Sequence, residues 1–356
     1  MYRYRLIGKQ FKTKCPRCGQ RKRFSPYVDT LSMEPLDPEL VGRCDRLYRC
    51  GYHFTPSDYF KTHPQMRTSQ THSLAKLLNR PADPDLETFS MDGRRFRSLM
   101  SDYQPSNLLT RYLLQLSHDD SWVESVHDAF HRYGAFASRF WNGAPLLPYR
   151  DIEGTVRDVK IMAFDPLTGK RVKDPHPKIS WASSILAEPN KEYAPIDRPF
   201  FGEHLLRDRP AAHLLVFESE KTALIMAVAL MTVYGPTAIE RYVPLAVGGA
   251  DGLTPTRMAT LERHISRMPD MEQLRVSFHP DNGCFDKWLR KTASFRAHSP
   301  RTRVVCPLME APIGPYNPAE GADMADCVTF LLSGNEPPQI KAASRLLPLF
   351  FKLPLA

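Results

Sequence analysis

Cys15 and Cys18 are separated by two residues in CPRCG, and Cys44 and Cys50 follow in CDRLYRCGYH after 25 intervening residues. No other feature restricts the folding of this 356-residue chain so tightly. Zinc takes four thiolate or imidazole donors in a tetrahedron, and two cysteine pairs brought together by a ribbon supply them. The spacing therefore predicts a structural Zn²⁺ on Cys15, Cys18, Cys44 and Cys50. The second pair is spaced C-x5-C, wider than a second knuckle, so His53 in CGYH competes with Cys50 as fourth ligand. Cys50 is the preferred reading. Cys284, Cys306 and Cys327 stand singly in apolar surroundings and read as buried small hydrophobes of a reducing compartment.

The charge is concentrated in the same region. Residues 1–27 hold Arg3, Arg5, Lys9, Lys12, Lys14, Arg17, Arg21, Lys22 and Arg23 and no carboxylate, which accounts for the whole formal net charge of +9. Nine cations without one acid have no partners for i,i+4 pairing. An anionic polymer is the expected partner, with Arg17, Arg21, Lys22 and Arg23 at the interface. Phe11, Phe24, Tyr27, Tyr48 and Tyr52 alternate with these cations. Such rings suit base stacking on a single strand, and they equally suit the core of a small module. No apolar run approaches the roughly 18 residues of a membrane helix. The opening MYRYRLIGKQFKTK has no apolar stretch fit for a signal peptide, so no membrane partner and a cytoplasmic setting are expected.

Beyond the basic module the pattern changes three times. Residues 66–135 read as a helical linker or scaffold, PSNLLTRYLLQL and SWVESVHDAFHRYG spacing their apolar residues at i, i+3, i+4, with Asp119 or Ser121 as cap. Residues 136–210 contain a β-meander, two extended runs around IEGT followed by the turn PLTGK, carrying Arg150, Arg157, Lys160, Lys170, Arg171 and Lys173. Residues 211–334 alternate strand and helix: HLLVF, EKTALIMAVALMTVYG, YVPLAV, TPTRMATLERHISRM, LRVSFH, DNGCFDKWLRKTASFRAH, TRVVC, GADMADCVTFLL. That alternation implies βαβ units and a parallel sheet. Residues 335–356 form a Pro-bounded apolar tail. The predicted class is α+β multidomain: a zinc ribbon at 1–65, helical linker, β-meander, C-terminal α/β domain and tail.

Acidic residues stand where the predicted strands end. Glu218 follows HLLVF, with Glu220 and Lys221 beside it; Asp281 follows LRVSFH, with Asp286 five residues on. Open parallel sheets bind ligands beyond the carboxyl ends of their strands. Carboxylates converging there can hold Mg²⁺ and leave waters for phosphate, or they can be helix N-terminal acids favoured by the dipole. His204, His213, Trp141, Trp181 and Trp288 read as structural. His279, two residues before Asp281, is the histidine nearest the candidate site.

The phrases HLLVFESEKTALIMA, LAVGGADGL, VSFHPDNGCFDKW and GADMADCV together resemble the Toprim domain of DnaG-type primases, topoisomerases and related nucleases. LLPYRDIEGTVRDVKIM is similar to the hairpin that opens the polymerase core of those primases. GRCDR, CGYHFTPSDYF, TGKRVK, FGEHLL, VFESEKTA and PDNGCFDKW resemble zinc-finger/Toprim primase-like proteins of bacterial mobile elements. The resemblance covers most of the chain and is thinnest at 65–135 and in the tail. It implies that Glu218, Asp281 and Asp286 are catalytic, that Glu218, Asp281 and Asp323 hold Mg²⁺ or Mn²⁺, and that Asp326 lies near. It also implies that Arg150, Arg157, Lys160 and Lys173 guide template or nucleoside triphosphate. The family's second aspartate is replaced here by Gly283, leaving Asp286 or Asp323 to complete the ligand set.

Three functions follow from these residues. One is a primase-like nucleotidyltransferase that grips single-stranded DNA or another nucleic acid, works with nucleoside triphosphates and serves a helicase or mobilisation machinery. Another is a DNA-binding replication or mobilisation accessory protein with a degenerate acidic site. A third is a metal-dependent nuclease.

Overall fold

In a computed structural model the chain divides into two compact units, residues 1–84 and residues 85–356. The structure describes residues 4–6, 12–29, 34–46, 50–63, 87, 89–102, 107–174, 177–187, 193–194, 196–207, 213–266, 275–298, 302–304 and 323–333. Arg3, Lys9, Phe11, Tyr48, Cys306 and the 335–356 tail lie outside the described residues, as does the side chain of Arg5.

The first unit is an antiparallel sheet of β1 (Tyr4–Leu6), β2 (Phe24–Asp29), β3 (Gly42–Cys44) and β4 (His53–Phe54), in that order. The helix Pro56–Thr62 follows, started by Thr55, whose hydroxyl accepts from the Asp58 N–H. Its innermost cluster is Phe24 with Cys15, Cys44 and Cys50, flanked by Cys18 and Tyr52. So small an apolar nucleus is of the size that depends on a metal for its stability.

The second unit contains two sheets. β5 (Leu146–Arg150), β6 (Val156–Met162) and β7 (Ile179–Trp181) are antiparallel, β5 and β6 meeting around IEGT as the sequence predicts. The PLTGK turn closes on a single bridge between Phe164 and Arg171, and the third strand begins later, at Ile179. The other sheet is parallel: β8 (His213–Phe217), β9 (Tyr242–Ala246), β10 (Arg275–His279) and β11 (Thr302–Val304), in the order β11-β10-β8-β9. Each of these strands falls on a predicted one.

The Glu220–Tyr234 helix is apolar all round because it is covered on both sides. Leu215 and Phe217 of the sheet share one core with it, and so do Leu109, Leu113, Trp122, Val126, Phe130 and Tyr133. The helices Leu108–Leu116 and Asp120–Tyr133, read from sequence as linker and scaffold, are thus built into this core. Asn107 and Asp119 cap them, each accepting from two backbone N–H groups. The opposite face of the sheet, Leu214, Val216, Val243, Leu245, Val276 and Phe278, packs on Met258, Leu261, Trp288 and Phe295 from helices Pro255–Ser266, Phe285–Lys291 and Ala293–His298. From β8 the chain runs first to β9 on one side and then to β10 on the other. The order reverses between β8 and β10, so a crevice opens beyond the carboxyl ends of those two strands.

Candidate functional site

In the first unit Cys15, Cys18, Cys44 and Cys50 place their sulfurs within 4.8 Å of one another. The Cys15–Cys50 separation is 3.7 Å and the Cys18–Cys44 separation 4.0 Å. Zn–S bonds of about 2.3 Å in a tetrahedron put sulfurs about 3.8 Å apart, so the four donors fit Zn²⁺. Local sequence explains the convergence. Gly19 and Gly51, each directly after a cysteine, take φ of +67°, the left-handed conformation that turns the chain back beneath the sulfurs. Backbone N–H groups of Gln20, Arg46 and Tyr52 point at the sulfurs of Cys18, Cys44 and Cys50, and the Gln20 bond draws the Cys18 thiol down to about 7. His53 is occupied elsewhere, its Nε2 2.9 Å from the Tyr27 hydroxyl and its ring stacked on Tyr27. Cys50 completes the cluster.

The N-terminal unit carries a zinc ribbon.

Residues 2–65 match the zinc beta-ribbon finger family, and residues 107–271 match a domain of unknown function, DUF6371. No curated protein shows significant similarity to the chain. Among solved structures, the RNA polymerase domain of Mycobacterium tuberculosis primase DnaG aligns at 16% identity with a TM-score of 0.33, covering 73% of this chain and 77% of that one. The zinc-binding and RNA polymerase domains of the Aquifex aeolicus primase align at 13% identity with a TM-score of 0.30, covering 96% and 80%. At these TM-scores neither neighbour fixes a role for any residue of this chain.

Around the ribbon's first knuckle Arg17, Arg21, Lys22 and Arg23 are all exposed. Lys22 holds a φ of +56°, which keeps the turn tight. Across the sheet, cross-strand pairing sets Ser25, Arg43 and His53 in one row, with Tyr27 reaching His53 diagonally. Phe24 and Tyr52 belong to the core cluster instead.

In the second unit a cleft of about 440 Å³ opens at the switch point. Glu218, Asp281, Asp323 and Asp326 line it, together with Lys170, Arg171 and Lys173 from the β6–β7 connection. Register makes the convergence inevitable: Phe217 is level with His279 on one side and Ala246 on the other, so Glu218, Asp281 and Gly248–Gly249 follow at one edge.

Glu218 accepts from the Asp281 backbone N–H and the Cys284 thiol, and burial raises its carboxyl. Its Oε2 is buried without a hydrogen-bond partner. Burial, reinforced by Asp323, Glu218 and Asp326, pushes Asp281 up to about 8. Asp323 and Asp326 cap the Met324–Ser333 helix reciprocally: Asp323 Oδ1 accepts from the Asp326 N–H at 3.0 Å, and Asp326 Oδ2 from the Asp323 N–H at 3.1 Å. Among the described residues, no three carboxylate side chains converge closely enough to share one ion as the four cysteines do. The orphaned Glu218 oxygen beside Asp281 still fits one hard cation such as Mg²⁺ or Mn²⁺.

The other expected site residues are spread more widely. Asp286 is exposed on the Phe285–Lys291 helix and does not line the cleft, because the helix start carries it away from Asp281. Lys173 is exposed at the cleft wall. Lys160 lines the cleft but is only 6% exposed, its ammonium bonded to both oxygens of Glu220 at 3.0 and 3.1 Å and to the Gly248 carbonyl at 3.1 Å. Arg157 pairs with Asp151 at 2.6 Å, and Arg150 is half-buried over the Phe96 ring. His204 and Arg132 meet through a 3.0 Å bond to the Arg132 carbonyl, and His213 and His279 both bond the Ser277 hydroxyl. Lys221, which the sequence sets beside Glu218 either paired with Glu220 or facing the site, pairs with Asp326, and Tyr149, which donates to Glu220, carries no signal in the sequence that would assign it to the site.

Proposed function

We propose that this protein binds nucleic acid through its zinc ribbon and carries out primase-like nucleotidyl transfer in the cleft beyond β8 and β10. The observation that carries the reading is the buried, unpartnered Glu218 Oε2 beside Asp281, in a cleft that the exposed cations Lys170, Arg171 and Lys173 also line. Glu218 and Asp281 would hold Mg²⁺ or Mn²⁺, which supplies charge stabilisation to a transferring phosphoryl group. The basic wall orients the phosphates of the incoming nucleotide. Arg17, Arg21, Lys22 and Arg23 bind template phosphates, and the Tyr27–His53 stack beside Arg43 offers a surface for bases. Asp323 assists through its charge on Asp281. The Toprim assignment of residues 211–334, a mobile-element setting and a helicase partner rest on the sequence resemblance. Among the described residues no helix is long and apolar enough to cross a membrane.

Primer synthesis on single-stranded DNA with Mg²⁺ or Mn²⁺ tests the proposal. Product is expected from the native chain and not from Glu218→Gln, and silence of the native chain where a DnaG primase works removes the nucleotidyl-transfer step. Binding should weaken steeply with salt, because each neutralised phosphate releases counterions. A second reading, a DNA-binding accessory protein, is favoured by Gly283 at the position where a second carboxylate would stand. It predicts that Glu218→Ala leaves DNA affinity and biological activity unchanged.

A further inference from the structure

Lys221 sits in the first turn of the Glu220–Tyr234 helix and lines the cleft. Its Nζ is 3.3 Å from Asp326 Oδ1, and its side chain is 19% exposed. The adjacent Thr222 donates its hydroxyl to Asp323 Oδ2 at 2.6 Å. One helix start is therefore bonded to another, and the bond includes a full positive charge.

This divides the cleft into two unlike ends. At the Asp323–Asp326 end every carboxylate oxygen has a partner: Asp323 takes the Asp326 N–H and the Thr222 hydroxyl, Asp326 takes the Asp323 N–H and the Lys221 ammonium. At the other end Glu218 Oε2 has none. The charge of Lys221 reaches Asp281, Asp323 and Asp326, whereas the strongest cationic influence on Glu218 is that of Lys287. Gly283, in the turn between β10 and the next helix, brings no carboxylate to replace a ligand.

We infer that the Lys221 ammonium is the cleft's built-in counter-ion. It fills the place that a second divalent ion would take at the Asp323–Asp326 end, so the cleft admits one such ion, at the Glu218–Asp281 end. The inference rests on reading the cleft as a cation site. Lys221 is accordingly a positioning residue: it fixes the Asp326 side chain, neutralises the acids around it and sets how strongly a divalent ion is drawn in.

Mn²⁺ binding to the zinc-loaded full chain, followed by electron paramagnetic resonance and by the ion's effect on Tm, tests this. Four thiolates disfavour the hard Mn²⁺ ion, so the ribbon does not interfere. The native chain should bind a single Mn²⁺, lost in Glu218→Gln. Lys221→Met should bind Mn²⁺ about tenfold more tightly or better, since a unit charge a few ångströms from the ion has gone. The ion should also raise the Tm of Lys221→Met more than that of the native chain, and folding of this variant only with Mn²⁺ present is the same result in stronger form. Lys221→Arg keeps the charge and should behave as the native chain. Lys221→Met that equals the native chain in both readouts, or that fails to fold with and without Mn²⁺, overturns the inference even if primers are made. A gain of Mn²⁺ affinity in a protein that makes no primers leaves the inference standing and removes nucleotidyl transfer.

Discussion

Lys160 donates to both carboxylate oxygens of Glu220, at 3.0 and 3.1 Å, and the two residues lie 60 positions apart in the chain. Their side chains are 7% and 1% exposed. Tyr149 adds a third bond to Glu220, and Lys160 continues to the carbonyl of Gly248 at the cleft's edge. Removing one partner strands the other's charge in a dry site. Glu220→Leu or Lys160→Met alone should cost about 3–5 kcal/mol, and the double variant should recover most of it, because an apolar pair of similar volume replaces a buried ion pair at little loss. Urea unfolding of the three variants checks this; additive single costs in the double variant refute it.

That pair also shows where sequence reading stops. Glu218 and Asp281 are legible because each follows a short apolar run, and a parallel sheet brings such run ends together. Lys160 reads from the sequence as one of the meander's cations, there to guide template or nucleoside triphosphate, whereas the whole Asp158–Phe164 stretch is buried. Nothing local says that both faces of β6 are covered, because the groups that cover it come from distant segments: Arg198 binds Asp158 across 40 residues, Glu220 binds Lys160 across 60. The same limit left Cys50 and His53 as rivals, separated only once β2 set Tyr27 beside His53.

His213 Nε2 and His279 Nε2 flank the Ser277 hydroxyl at 2.9 and 2.8 Å. Burial pushes His213 down to about 4 and His279 down to about 3. An unfolded chain binds these protons near pH 6.5, so between 6.5 and 4 it holds more protons than the native state. Each histidine's contribution is complete above pH 6.5 and is lost as pH falls towards 4, by about 3 kcal/mol apiece on a scale of about 1.4 kcal/mol per pH unit. His279→Gln keeps a bonding group for Ser277 and cannot titrate. Its stability should fall less between pH 7 and pH 4 than that of the native chain, and an unchanged pH slope refutes the assignment.

Asp281 shifts in the opposite sense. Its carboxyl, pushed up to about 8, holds a proton in the native state that the unfolded chain has released, so its contribution is lost as pH rises towards 8. Asp281→Asn keeps the shape without the charge. It should stabilise the protein at pH 8 by about 1–3 kcal/mol, allowing for screening by solvent in the cleft, while abolishing Mn²⁺ binding. More stability and no ion is the signature expected of a residue kept for function. An Asp281→Asn protein less stable than the native one at pH 8 contradicts this account of the acidic cleft.

The ribbon gives the sharpest separation between two neighbouring residues. Cys50 stands in a cluster whose sulfur separations of 3.7 and 4.0 Å suit a tetrahedral ion, and His53, three residues on, turns to Tyr27. Cys50→Ser should lose bound zinc and with it the fold of the first unit, since the apolar nucleus of Phe24 and its cysteines is too small to stand alone. His53→Ala should retain one zinc per chain and cost about 1 kcal/mol, the worth of one hydrogen bond and a stacked pair at the surface. Zinc content by atomic absorption with circular dichroism before and after chelation decides the matter. Because His53 and Tyr27 lie on the exposed row with Arg43, His53→Ala should also weaken single-stranded DNA binding at fixed salt without changing the salt slope. Loss of zinc in His53→Ala, or its retention at full affinity in Cys50→Ser, would reverse the ligand assignment.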